Sequence, residues 1–134
     1  MGQTESSTVE GYNELGKLAS GEAATAMKSV VCIKTACTAN DAQTAAGITK
    51  SEDTGLDLVD ADSVKSVKTT GDNDTVQIDH KFTAATGDTI KGFGWLNDSD
   101  DVLYGICCFA ADVVLAASDT LTVQAKSQFK VGSA

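Results

Sequence analysis

Arginine is absent from this chain of 134 residues. Its ten basic side chains are all lysine, set against nineteen acids for a net charge of -9. Phosphate contacts need a basic patch and bases are read most often by arginine, so the composition argues against direct nucleic-acid binding. An acidic surface repels anionic partners and suits docking onto a basic or apolar protein surface. Aromatic side chains are also scarce, at four phenylalanines, two tyrosines and one tryptophan. The core must therefore be built mainly from Val, Ile, Leu and Ala. No apolar run approaches the ~20 residues of a membrane-spanning helix, so no membrane partner is expected. Met1 to Thr8 is polar, unlike the apolar run of a secretion signal. Met1-Gly2 with Ser6 has the outline of a myristoylation site, but no basic patch follows it. A plain polar arm is the preferred reading.

Catalytic constellations are equally sparse. The single histidine, His80, lies in phase with Val76, Ile78 and Phe82. That phase turns it toward an apolar face, as a hydrogen-bonded core residue without a recognisable nucleophile or carboxylate partner. There is no Gly-x-Ser-x-Gly elbow, phosphate loop or His-Glu-x-x-His. Gly92-x-Gly94 lacks the remaining glycine and the following helix of a dinucleotide site. No catalytic residue, cofactor or metal is expected.

Two acidic turns, Asp72-Asn73-Asp74 and Asn97-Asp98-Ser99-Asp100-Asp101, have the oxygen-rich character that calcium favours. Neither has the spacing of an EF-hand, and solvated hairpin turns are the simpler reading. Cys32, Cys37, Cys107 and Cys108 sit in apolar company, so buried reduced thiols are expected, with a disulfide such as Cys32–Cys37 as the alternative. Cys107 and Cys108 are adjacent, so on a strand they face opposite ways and could not share one metal.

What the chain does contain is alternation. Thr75 to Thr83 and Leu121 to Phe129 alternate apolar and polar residues, the pattern of strands with one wet face. Between them lie the glycine-aromatic run Ile90 to Leu96 and the apolar run Val102 to Ala111. Ser29 to Thr35 reads as a buried strand and Val64 to Thr70 as another, joined by the Gly71–Asp74 turn to the strand that follows. Thr86 to Thr89 and Ala117 to Thr120 read as two similar turns entering two strands. Val9, Tyr12, Leu15 and Leu18 recur at helical spacing, with Thr8 placed to cap the helix and Gly21 to stop it. A second short helix is indicated over Glu22 to Lys28. Residues 36–63 read as a long Thr/Ala-rich connection with one short strand near Leu56; such loops often mark contact surfaces.

These elements define a mainly β chain: an antiparallel β-sandwich, jelly-roll-like or immunoglobulin-like, with a short N-terminal helix. Residues 1–8 are expected to form a flexible arm and residues 9–134 a single domain. At this size folding buries roughly two-thirds of the extended chain's surface, enough for a core without metals or disulfides.

The stretch Gly11 to Glu22 followed by Val30-Val31-Cys32-Ile33, then Asp74 to Thr83, Ile90 to Asn97 and Val114 to Val123, resembles small virion structural proteins of tailed phages. It departs from them at Lys34-Thr35-Ala36-Cys37, where a Gly-x-Gly is usual, and at the second of the paired cysteines. The resemblance implies a β-sandwich that assembles into the particle. The expected function is non-enzymatic: a capsid decoration or stabilising protein, assembled in the host cytoplasm and located in the virion. Its expected partners are a major capsid or tail protein and itself, as a homotrimer. The alternative is a tail, collar or fibre-associated module that recognises host carbohydrate. Phe93, Trp95 and Tyr104 are the candidate interface anchors, with core packing as the competing role.

Overall fold

A computed structural model describes residues 3–129. The elements are β1 (Gln3–Ser7), α1 (Val9–Ser20), β2 (Ser29–Ile33), β3 (Val59–Asp60), β4 (Ser63–Val67), β5 (Thr75–Thr83), β6 (Gly87–Leu96), β7 (Leu103–Ala116) and β8 (Thr120–Gln128). They form two antiparallel sheets. One has five strands in the order β1-β7-β6-β2-β3 and the other three in the order β4-β5-β8. This is the expected β-sandwich with an N-terminal helix.

The inner core lies between the sheets. Val30 and Cys32, Phe93 and Trp95, and Tyr104 and Cys107 pack there against Ile78 and Phe82 of β5 and Val123 and Ala125 of β8. The alternation in β5 and β8 thus gives the small sheet its wet outer face. The large sheet differs, because its other face is covered as well. Val31, Ile33, Leu103, Ile106 and Cys108 pack there beneath Ala45 and Ile48 of the long connection. Two buried faces explain why β2 and the first part of β7 are apolar at nearly every position. The Thr/Ala-rich loop is therefore a lid on the large sheet.

Gly92 makes room for both the neighbouring strand and this lid. A Cβ there would lie 2.7 Å from the Cys37 sulfur and 2.2 Å from the Cys107 carbonyl oxygen. The bare face of the glycine-aromatic strand is the seat of the loop. Register shifts in the β6–β7 pairing, between Ile90 and Gly92, let Ile90, Phe93 and Trp95 all face the inner core.

Three expectations are corrected. Gln3 to Ser7 is not a flexible arm; it pairs in register with β7 from Phe109 to Gly105. Its polar side chains gave no sign of this, because backbone hydrogen bonds hold an edge strand. Met1-Gly2, and with them the myristoylation reading, lie outside the described residues, as does the stretch 130–134. Glu22 to Lys28 is not helical. Its backbone is held instead by side chains: Thr25 N–H donates to Glu14 at 2.9 Å and the Tyr104 hydroxyl donates to the Thr25 carbonyl. The cysteines form the third correction, described below.

Helix α1 has the expected boundaries, with Thr8 Oγ1 accepting from Gly11 N–H at 3.0 Å and Gly21 closing the end in the left-handed region at φ 79°. Its orientation is unexpected. The face that meets β7 carries Thr8, Gly11 and Glu14; a Cβ on Gly11 would sit 2.7 Å from the Tyr104 Cα. Glu10 reinforces this seat by accepting from the backbone N–H groups of Leu103 at 2.6 Å and Ala45 at 3.0 Å. Of the apolar stripe, Leu15 packs against the inner core, while Val9, Tyr12 and Leu18 are exposed.

Candidate functional site

Phe93, Trp95 and Tyr104 are brought together, but inside the chain. They are 4%, 4% and 3% exposed, so they fill the core rather than present a contact surface. The Phe93 and Trp95 ring centroids are 5.6 Å apart. The Trp95 ring covers Gly105 so closely that a Cβ would fall 2.1 Å from it. Burial, with the Glu14 charge second, pushes the Tyr104 phenol up to about 12. His80 also faces the core, edge-on to Phe82 at 4.6 Å between centroids. Its Nδ1 lies 3.3 Å from Asp62 without hydrogen-bond geometry, so the expected core placement holds and the expected hydrogen bond does not.

Cys37 and Cys108 form a disulfide, with Cα atoms 5.6 Å apart. The expectation of four reduced thiols is therefore corrected, and the partners are not Cys32 and Cys37. The sequence could not show that Cys37 rides on a loop folded back over the large sheet. Cys107 faces the inner core and Cys108 the lid, the opposite placement that adjacency on a strand dictates. Cys32 and Cys107 are free and buried. Burial, aided by the Asp88 and Asp53 charges, pushes the Cys32 thiol up to about 12; burial, aided by Glu5, pushes Cys107 to about 11. A thiol held protonated is a poor nucleophile and metal ligand.

The conspicuous carboxylates hold loops. Asp53, which the sequence reading passed over, accepts backbone N–H bonds from Ala85, Thr86 and Gly87, each at 2.8 Å, and from Gly55 at 3.0 Å. These donors hold its carboxyl well below the usual carboxylate range. The Asp-x-Gly spacing of Asp53 and Gly55 is the local signal that could have found it, being the mark of a side-chain-capped turn. Asp74 does the same for the β4–β5 turn, accepting from Gly71, Gln128, Thr69 and Thr70 between 2.8 and 3.0 Å, and is likewise depressed. In the other acidic turn, Asn97 Oδ1 accepts from the backbone of Asp101 at 3.1 Å, and Asp100 pairs with Lys50 at 3.1 Å. Among the described residues no cluster of His, Cys, Asp or Glu is grouped to hold a metal ion.

The surface feature that stands out lies beneath α1. An apolar cleft runs between the helix and the ends of β4, β5 and β8. Toward β4 it opens into a cavity of 320 Å³ lined by Leu15, Leu18, Met27, Val64 and Val76. Toward β8 lies a second, more polar cavity of 150 Å³, which shares Leu15 and Met27 with the first and is bordered by Tyr12 and Phe129 together with Ser7, Lys126, Ser127 and Gln128. Tyr12 is 59% exposed, Phe129 48%, Val64 39% and Leu18 38%. These four are a majority of the large exposed apolar side chains among the described residues; Leu18 and Val64 border the first cavity, Tyr12 and Phe129 the second, and the two cavities meet at Leu15 and Met27. The helical stripe was readable from Val9, Tyr12, Leu15 and Leu18; that most of it faces outward was not.

Comparison of the chain with family models, with curated proteins and with solved structures finds no match. The class is therefore defined by the fold: a small two-sheet β-sandwich with a helix laid across one end and an apolar cleft under it.

Proposed function

We propose that this chain is a non-enzymatic structural protein of a tailed-virus particle, docked on the capsid surface as a decoration or stabilising subunit. The observation that carries the reading is the clustering of exposed Tyr12, Leu18, Val64 and Phe129 around one cleft, beside the unpaired edges of β4 and β8. Contiguous apolar surface and open sheet edges are features that proteins cover with other proteins. The engagement of Asp53, Asp74, Glu10 and Glu14 in backbone hydrogen bonds supports a structural use of the acidic groups. A disulfide suits a particle that spends its life outside the reducing cytosol. A homotrimer would use closed symmetry to cover further edges.

The mechanism is mass action. A protein that binds assembled subunits and not separated ones stabilises the assembly by its own binding free energy. Carbohydrate recognition by a tail or fibre has less support, because Phe93, Trp95 and Tyr104 are buried, which leaves Tyr12 and Phe129 as the exposed rings among the described residues, both beside the cleft. The test is detection of the chain, by antibody, in gradient-purified particles of the virus that encodes it, followed by electron cryo-microscopy of those particles. Density on the capsid lattice is expected. Absence of the chain from the particles, or its restriction to the tail, would overturn the capsid reading.

A further inference from the structure

We infer that the cleft beneath α1 receives an extended segment of a partner protein in which acidic and apolar residues alternate, added as a new strand to the free edge of β4. This deepens the virion reading by naming the chemistry of the contact. The apolar half of the argument is the lining: Leu15, Leu18, Met27, Val64 and Val76 form a trough wide enough for side chains. The strand half is topology. β4 pairs with β5 on one side only, so its other side presents unpaired backbone groups beside the trough. A strand laid there would point alternate side chains inward to Val64 and its neighbours, and the others outward.

The acidic half is charge. In a chain with nearly twice as many acids as lysines, the charged residues that border the two cavities are Lys65 and Lys126, without an acid. Both lysines are exposed, and both stand in register with Gln77 on the outer face of the small sheet. The neighbouring acid, Asp79, accepts from Gln77 and Gln124, each at 2.7 Å, and also lies close enough to both lysines for their charges to help hold its carboxyl low, so it offsets part of their charge. The outward residues of an added strand would lie beside Lys65, the lysine of the edge strand, with Lys126 two strands, roughly 10 Å, further across the sheet. The protein's acidic remainder would repel the same segment elsewhere, which makes the cleft selective.

The probe is a dye-labelled short peptide of alternating valine and glutamate, titrated against the full chain by fluorescence polarisation. A valine-lysine counterpart and dodecyl sulfate serve as comparisons. Saturable binding of the glutamate peptide is expected, with the lysine peptide at least ~tenfold weaker. Charge reversal of the exposed pair, Lys65→Glu with Lys126→Glu, should reverse that order, with circular dichroism showing the fold retained. Val64→Asp should weaken both peptides. Equal binding of the two peptides, no effect of charge reversal, or binding of dodecyl sulfate alone would overturn the inference. Co-sedimentation with purified particles separates the two readings. If the unmodified chain and the charge-reversed chain sediment alike with particles, the cleft reading fails and the virion reading stands. If the unmodified chain stays in solution, the virion reading fails and the peptide titration still decides the cleft.

Discussion

Removing the Cys37–Cys108 bridge should destabilise this protein more than any single loss of a surface contact. The bridge joins positions 71 residues apart. Closing a loop of that length restricts the unfolded chain by about 4 kcal/mol at room temperature in the chain-entropy description. The double replacement Cys37→Ser with Cys108→Ser, or reduction by dithiothreitol, should lower the thermal midpoint by roughly 10–15 °C for a domain of this size. A local effect should accompany the global one. The bridge pins the lid over Val31, Ile33 and Ile106, so its loss should speed amide exchange in those strands. Thiol counting provides an independent check. Denatured without reductant, the chain should expose two reactive thiols, those of Cys32 and Cys107; after reduction it should expose four. Four thiols without reductant, or an unchanged midpoint on reduction, would refute the reasoning.

Other consequences can be measured on the same material. Gly105→Ala should cost about 1–3 kcal/mol, because the new Cβ overlaps the Trp95 ring; the single tryptophan should report the displacement as a red-shifted emission. Thr8→Ala should cost about 1–2 kcal/mol in chemical denaturation, since it removes both the helix cap and the hydroxyl bond to the Leu103 carbonyl. Asp53 and Asp74 titrate below the ordinary carboxylate range when folded. The unfolded chain therefore takes up protons first, and stability present above about pH 4 should fall as pH drops further. Cys32 and Cys107 have raised folded values, so the unfolded chain loses their protons first, and stability should fall as pH rises past about 8.5. A denaturation midpoint that is flat on either side of that window would contradict these assignments.

Much of the sheet structure was legible because a strand with one wet face writes its geometry into alternate residues. Thr75 to Thr83 was bounded to the residue and the turn at Ser118 leads into β8 as expected, whereas Gly87 to Thr89, expected as a turn, already pair with β7 as the start of β6. Elements held by backbone or by distant partners left no such mark. Gln3 to Ser7 is polar throughout yet forms a strand, since an edge position asks little of its side chains. The helix was readable in extent but not in facing, because Glu14, which lies off the apolar stripe, is buried with its carboxylate accepting from Thr25. The cleft was hidden for the same reason: it follows from which side of α1 meets β7, and that is decided by Gly11. Loop-to-sheet contacts such as Cys37 on Cys108 depend on the path of a long connection, which composition does not specify.

The row Cys32, Phe93, Cys107 runs straight across β2, β6 and β7. The two free cysteines are therefore separated by a whole strand, roughly 10 Å, too far to be joined. Cys107 is in turn shielded from its neighbour's bridge by the thickness of its own strand. Four cysteines allow three complete pairings on paper, yet the folded sheets permit a single link and isolate the two sulfurs that could attack it. An oxidant can close this molecule in one way only, and disulfide shuffling has no path without unfolding.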